Sequence, residues 1–155
     1  MKETIEKFYQ AFENHDAERM IAYYHKEIQF EDPAFGVLIG EKAKNMWRML
    51  CRSLNEQGGE ITMINITSDD KICTANWEAR YTFSKTGKKV HNIIKAEFEF
   101  KDGLIIKHTD SFDLYKWSKK ALGVKGILIG WTPFFKKKLI IETNRLLSQF
   151  EQKID

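Results

Sequence analysis

The chain has 155 residues, 43% of them hydrophobic and 13% aromatic, which is enough for one folded domain with a substantial core and excludes a disordered chain. No apolar run is long enough to span a bilayer. The net charge of +3 is uneven, because residues 116–155 carry nine basic against three acidic residues and form a basic tail on a mildly acidic body.

The cysteines and histidines give no sign of a metal or redox site. Cys51 and Cys73 fall in apolar patterns without a CxxC spacing, and the N-terminal segment lacks the apolar core of a secretory signal. We therefore expect reduced core cysteines in a cytoplasmic protein. The four histidines show no metal-ligand spacing, so we expect neither a metal nor a cofactor.

The first half of the chain carries helical patterns. Apolar residues at helical spacing predict a first helix: Ile5, Phe8, Tyr9 and Phe12. Asp16 is a suitable cap for a second helix, which we expect to reach Tyr24. A short strand over residues 28–32 ends at Pro33, because proline cannot donate to a sheet ladder. Amphipathic spacing then predicts a third helix over residues 43–54.

The second half carries strand patterns. Alternating apolar residues predict four strands, over residues 60–67, 72–84, 88–101 and 104–114. The turns between them are short, beginning with Ser68-Asp69-Asp70, and short turns join antiparallel strands. Helices followed by an antiparallel sheet predict an α+β fold.

The last predicted strand carries the most informative residues. Because successive side chains of a strand point to opposite faces, Ile106, His108, Asp110 and Phe112 are expected on one face. An ionisable pair between apolar neighbours is costly to bury without partners. Either a cavity lies over this strand, or these groups bond to each other and to their neighbours.

Residues 118–155 form a C-terminal extension. Thr132-Pro133 is a good helix start, and the amphipathic helix that follows has three lysines near its start. We expect this helix to pack on the same domain or on a dimer partner. Contact with an anionic membrane surface, near Trp131 and Phe134, is the alternative. No nucleic-acid-binding motif appears, so we expect no nucleic-acid partner.

The order of elements resembles a known superfamily. Two opening helices, the Phe30-Glu31-Asp32-Pro33 turn, a third helix after Gly40 and a closing meander ending Asp110-Ser111-Phe112-Asp113 are similar to nuclear transport factor two-like proteins, and most to SnoaL-like domains. The resemblance covers residues 5–117 and implies a domain over residues 1–117. It also implies a cone-shaped barrel, in which a curved antiparallel sheet wraps around the N-terminal helices over one apolar pocket. A homodimer through the outer sheet face is implied as well.

Within this superfamily, ketosteroid isomerases and limonene epoxide hydrolase imply specific site positions. In the former, the general base would be Asp32, but the two oxyanion-hole positions fall on Phe8 and Ala96, which cannot donate a hydrogen bond. In the latter, Asp110 matches one acid, whereas the Arg and second Asp positions fall on Trp77 and Ala79. The remaining pattern is similar to polyketide cyclases, in which one pocket carboxylate transfers protons.

We therefore expect a small-molecule pocket protein, an enzyme that performs acid–base proton transfer on an apolar carbonyl, terpenoid or polyketide-like substrate. Asp110 is the expected acid or base, with His108 or Asp32 as its partner. The expected pocket lining is Phe8, Phe12, Phe30, Trp47, Leu50, Trp77, Tyr81, Ile94, Phe98 and Phe112. Two alternatives stay open: a non-catalytic carrier or sensor of an apolar ligand, and a protein- or membrane-interaction module.

Overall fold

The structure, a computed structural model, describes residues 1–69 and 72–154, so Asp70 of the first predicted turn lies outside it. The N-terminal elements are α1 (Lys2–Glu13), α2 (Ala17–Ile21), β1 (Tyr24–Asp32), β2 (Gly36–Ile39) and α3 (Glu41–Gln57). The remaining strands are β3 (Glu60–Ser68), β4 (Cys73–Phe83), β5 (Lys88–Lys101) and β6 (Leu104–Ser111). Three helices follow: α4 (Leu114–Leu122), α5 (Val124–Ile129) and α6 (Pro133–Ile154).

The strands form one sheet in the order β2-β1-β6-β5-β4-β3. The pairs are antiparallel except β1 and β6, which run parallel. The predicted α+β class is confirmed, with a sheet that stays open instead of closing into a barrel. Alternate residues of β4 and β5 are buried and pack with α1 and α3 into the main core, which also contains Cys51 and Cys73 as free cysteines.

Most predicted elements are present, and the differences have local causes. Asp16 caps α2 as predicted, since its side chain accepts a hydrogen bond from the Arg19 N–H at 3.1 Å, but α2 ends before Tyr24, which begins β1. The last strand ends earlier than predicted. The Asp113 carboxylate accepts a hydrogen bond from the Lys116 N–H at 2.8 Å and thereby starts α4, a helix that the sequence patterns did not indicate.

A β-bulge corrects the predicted face of β6. Lys107 pairs with Glu99 and Ile105 pairs with Phe100, so Ile106 is an extra residue opposite one step of β5. Ile105 is therefore fully buried, whereas Ile106 is half-buried. The predicted alternation of inward-facing residues was wrong at Ile106 and holds from His108 onward.

Helix α6 packs along α3 and the turn between β1 and β2. The Thr143 hydroxyl donates to the Ala34 carbonyl at 2.8 Å, and the Asn144 amide donates to the Phe35 carbonyl at 2.9 Å. Leu147 of α6 is fully buried in the main core. Among the described residues, none of the helices combines the length and hydropathy needed to cross a bilayer.

Candidate functional site

A cavity of about 350 Å³ lies between the inner sheet face, α3 and α6. Eight residues from the expected lining border it: Phe12, Phe30, Trp47, Leu50, Trp77, Tyr81, Ile94 and Phe112. Helices α4 and α6 contribute further lining residues that sequence reasoning did not find: Trp117, Leu139, Glu142, Thr143 and Leu146. The wall is therefore mainly apolar, and α4 and α6 complete it.

Three of the expected site residues do not border this cavity. Phe8 and Phe98 are fully buried behind the lining, where both rings contact the His108 ring, with centroid distances of 5.7 and 4.3 Å. His108 itself has no exposed surface. Here α1 packs directly on the sheet, and close-packed rings fill the space that a ligand would need.

The two aspartates of the expected site both border the cavity. The parallel pairing of β1 and β6 places Phe30 beside His108 and Glu31 beside Thr109, so Asp32 and Asp110 each follow the last paired residue of their strand. The charge of Asp110 also acts on the Asp32 carboxyl. Two carboxyl groups therefore belong to one mainly apolar wall.

Asp32 borders the cavity and also stabilises the turn that follows β1. Its Oδ1 accepts hydrogen bonds from the N–H groups of Ala34 and Phe35, at 2.9 and 2.5 Å, and so holds the turn after β1. Burial raises the pKa of Asp32 to about 7; the two N–H donors oppose this rise, while the charge of Asp110 adds to it. Near neutral pH the Asp32 carboxyl is thus divided between its protonated and ionised forms.

A chain of hydrogen bonds holds Asp110 from behind. The indole N–H of Trp47 donates to the Tyr24 hydroxyl at 2.7 Å, and this hydroxyl lies 2.6 Å from Nδ1 of His108. Nε2 of His108 lies 2.9 Å from Oδ1 of Asp110. Because Trp47 can only donate, the Tyr24 hydroxyl can direct its own proton to Nδ1. With the hydrogen bonds assigned in this way, Nδ1 of His108 accepts the Tyr24 proton. The proton of a neutral imidazole is then on Nε2, which donates to Asp110.

His108 consequently orients Asp110 and does not face the cavity. Its ring stacks on Trp47, with centroids 5.6 Å apart and planes 16° apart, which fixes the direction of Nε2. Sequence reasoning found the pair of His108 and Asp110 but missed Tyr24, which it placed in a helix. The signal that was available is the position of Tyr24 at the start of the segment that leads to Asp32.

The other charged lining residues lie at the exposed edge of the cavity. Lys85, in the β4–β5 turn, and Glu142, on α6, form an ion pair at 2.8 Å, and both side chains are partly exposed. Hydrogen bonds from Arg145 and Lys85 lower the pKa of Glu142 to about 2. Over residues 1–69 and 72–154, no group of three or more His, Cys, Asp or Glu side chains is arranged so that it could hold a metal ion. Asp32 and Asp110 supply the carboxyl groups of the inner wall.

Comparison with known proteins identifies the family of this fold. The model of the SnoaL-like domain matches residues 5–108, which is more than half of the chain. The chain belongs to the SnoaL-like domain family. The match ends just before Asp110 and does not include α4, α5 or α6. No curated protein matches the sequence.

Solved structures of nuclear transport factor two-like proteins are similar to this SnoaL-like domain. TerC, co-crystallised with polyporic acid, is 15% identical with a TM-score of 0.63, over 77% of this chain and 95% of TerC. A putative polyketide cyclase from Xanthomonas campestris pv. campestris is 18% identical with a TM-score of 0.62, over 76% and 93% of the two chains. An LEH-like epoxide hydrolase from M. tuberculosis is 22% identical with a TM-score of 0.61, over 82% and 91%. At these identities the similarity shows the fold.

This SnoaL-like domain has apolar side chains where two related chemistries would need polar ones. Phe8 and Ala96, the positions that the resemblance to ketosteroid isomerases implies for the oxyanion hole, are fully buried and do not border the cavity. Trp77 and Ala79, the positions that the resemblance to limonene epoxide hydrolase implies for its Arg and second Asp, do border it. The second cavity carboxyl comes instead from Asp32 on β1.

Proposed function

We propose that this protein is an enzyme that transfers protons on a small, mainly apolar carbonyl, terpenoid or polyketide-like substrate. The proposal depends on one observation, the presence of both Asp32 and Asp110 in the wall of an apolar cavity. Burying ionisable groups in an apolar wall lowers the stability of the fold. Two carboxyl groups in one cavity, one of them with a raised pKa, therefore favour a chemical role. The polyketide cyclase and epoxide hydrolase among the similar structures support a small, apolar ligand.

Asp110 is the proposed base. His108 donates to Oδ1 of Asp110, so the second carboxylate oxygen keeps its lone pairs for the substrate. The ionised carboxylate takes a proton from a carbon next to the substrate carbonyl and becomes a carboxylic acid. The electron pair of the broken C–H bond moves towards the carbonyl oxygen, which gains negative charge.

Asp32 is the proposed acid. Its pKa of about 7 keeps a protonated fraction at neutral pH, and that proton passes to the carbonyl oxygen as charge develops there. In the second half of an isomerisation, Asp32 takes back the enol proton and Asp110 returns its proton to a different carbon. Both carboxyl groups then stand in their starting states, so no further reactant is needed.

The cavity fits a small substrate with an aromatic or alicyclic skeleton. A volume of about 350 Å³ lies at the lower end of the range for ligand pockets. The rings of Trp47, Trp77 and Phe112 border it, so a flat apolar molecule can contact ring faces while its carbonyl group lies near the aspartates.

Hydrogen–deuterium exchange tests the proposal without knowledge of the natural substrate. Cyclic ketones and hydroxyquinones are incubated with the protein in D₂O, and exchange at the carbon next to the carbonyl is followed by NMR. We expect protein-dependent exchange that falls about a hundredfold or more in Asp110→Asn, while thermal shift still reports binding. The matched control, Asp102→Asn in the exposed β5–β6 turn, should exchange like the wild type.

The same experiment distinguishes an enzyme from a carrier. Compounds that raise the melting temperature of the wild type but never exchange faster than in buffer would contradict the enzymatic proposal. Such a result, unchanged in Asp110→Asn, would favour a carrier or sensor that uses the same cavity.

A further inference from the structure

Six large apolar side chains are exposed within eleven residues of the C-terminal extension. We name them the apolar patch: Val124, Ile127, Leu128, Ile129, Trp131 and Phe134. The exposed fractions of Leu128, Trp131 and Phe134 are 66%, 68% and 66%. Exposed apolar side chains concentrated in one short segment are typical of an interaction site.

The packing of α5 fixes this exposure. Gly126 and Gly130 are buried against Ser118 of α4, and a Cβ atom at these glycines would lie 2.0 Å from Ser118 O and 1.8 Å from Ser118 Oγ. The Ser118 hydroxyl donates to the Tyr115 carbonyl at 2.8 Å and lies 3.3 Å from the Gly126 carbonyl. Only small residues fit this contact, so the large side chains of α5 must lie on its solvent side.

Basic residues flank the apolar patch in the sequence. The 28 residues from 114 to 141 contain seven lysines and no aspartate, glutamate or arginine, whereas the other residues together carry a net charge of −4. All seven are exposed: Lys116, Lys119, Lys120, Lys125, Lys136, Lys137 and Lys138. None of them forms an ion pair with another described residue, although Lys120 donates to the backbone carbonyl of His91. Their charges are therefore available to an external partner.

We propose that the apolar patch and its lysines bind the surface of an anionic lipid membrane. Apolar side chains enter the boundary between headgroups and acyl chains, and lysines meet the negatively charged headgroups. Trp131 suits this position, because its exposed indole ring has an apolar body that can enter this boundary, while its N–H is satisfied by the Leu128 carbonyl at 3.2 Å. This binding is independent of the chemistry proposed for Asp32 and Asp110.

A lipid surface fits these features better than a second copy of the chain. In a symmetric dimer through this patch, the same lysines of both copies would face each other across the interface. Like charges at an interface oppose association unless acidic groups intervene, and no acidic residue occurs from 114 to 141. An anionic membrane supplies the opposite charge along the whole surface.

Vesicle sedimentation tests the proposal. The full-length protein is mixed with vesicles of phosphatidylcholine alone, or of phosphatidylcholine with roughly 30% phosphatidylglycerol. We expect binding to the anionic vesicles, weaker binding at high salt, and little binding to neutral vesicles. Two variants should each weaken binding by about tenfold or more. The first combines Trp131→Ser with Phe134→Ser, and the second combines Lys136→Gln, Lys137→Gln and Lys138→Gln.

A matched variant controls for charge. This control combines Lys26→Gln, Lys42→Gln and Lys153→Gln, which removes the same charge outside residues 114–141, and it should bind like the wild type. Circular dichroism checks that each variant is folded. Equal binding to both kinds of vesicle, or none to the anionic vesicles, would overturn the proposal. Wild-type binding by the variant with Trp131→Ser and Phe134→Ser would also overturn it. So would a wild-type protein that is dimeric in solution and becomes monomeric in this variant.

Discussion

Asp32 and Asp110 lie on two strands that pair in parallel and both border the cavity, although 78 positions separate them in the sequence. Their immediate partners differ: Asp32 accepts hydrogen bonds from two backbone N–H groups, and Asp110 is held by the imidazole of His108. Two chemically identical groups therefore have different surroundings in one cavity wall. Two acids can divide the roles of proton donor and proton acceptor when their surroundings differ in this way.

The raised pKa of Asp32 predicts a pH-dependent stability. The folded-state pKa of about 7 exceeds the unfolded value of about 4, so the folded state binds the extra proton and loses stability as the pH rises through this window. Asp32→Asn cannot ionise, and its amide oxygen can still accept from the turn. We expect this variant to be more stable than the wild type at about pH 8, by roughly 1–3 kcal/mol, with a smaller difference at about pH 4.

Urea unfolding at several pH values measures this difference. Asp102→Asn, at an exposed position, should retain the wild-type pH profile. If the free energy of unfolding depends on pH in the same way in the wild type and in Asp32→Asn, Asp32 has an ordinary pKa. The proposal that Asp32 is the acid would then be contradicted.

The hydroxyl of Tyr24 is expected to contribute to stability through two partners. Tyr24→Phe leaves both the indole N–H of Trp47 and Nδ1 of His108 without their partner in a buried site. An unpaired buried polar group costs about 1–3 kcal/mol, so the free energy of unfolding should fall by at least that amount. The control is Tyr115→Phe, whose hydroxyl makes an exposed contact of 3.3 Å with the Ile127 carbonyl. Chemical denaturation measures both variants. Equal losses of stability would contradict the hydrogen-bond network of Trp47, Tyr24 and His108.

Local patterns were sufficient to predict most of the elements. The strands β3 to β6 follow from alternation and from turn residues between them, and α6 begins at Pro133 as its Thr-Pro start indicates. The inward direction of His108 and Asp110 also follows from alternation. The homodimer and the cytoplasmic location stay predictions, and the described outer sheet face presents Ile93 among charged residues.

The rest of the site depends on contacts between distant parts of the chain. The parallel pairing of β1 with β6 brings the strand of Asp32 to the strand of Asp110, and no local pattern specifies which strands pair. The bulge at Ile106 likewise depends on its partner strand. Alternation shows that Phe98 points inward, but it cannot show that α1 fills the space there instead of leaving a cavity.

Two alanines on the same face of β4 should respond differently to enlargement. Ala79 borders the cavity, whereas Ala75 is fully buried and does not. Ala79→Leu extends into open space, so stability should change by less than about 1 kcal/mol while binding of cavity ligands weakens. Ala75→Leu overpacks the core and should cost about 1–3 kcal/mol. Thermal unfolding with and without a bound compound measures both effects, and equal destabilisation would show that the cavity beside Ala79 is not open.

Helix α6 is expected to maintain the raised pKa of Asp32. Thr143 and Asn144 donate to the carbonyls of Ala34 and Phe35, and so hold α6 against the turn that contains Asp32. Thr143→Val together with Asn144→Ala removes both hydrogen bonds, at a cost of about 0.5–1.5 kcal/mol each. Burial is the largest cause of the raised pKa of Asp32, so freer access of water should move it down towards its ordinary value.

NMR titration of the Asp32 carboxyl carbon measures this pKa, and amide hydrogen exchange measures the opening of α6. The control is Ser148→Ala together with Gln149→Ala, because both residues are on the exposed side of the same helix. The decisive comparison is between the two measurements. Faster exchange in α6 with an unchanged pKa of Asp32 would mean that the sheet and α3 alone exclude water from this carboxyl. A pKa that falls together with the protection of α6 would instead make the extension part of the acid–base site.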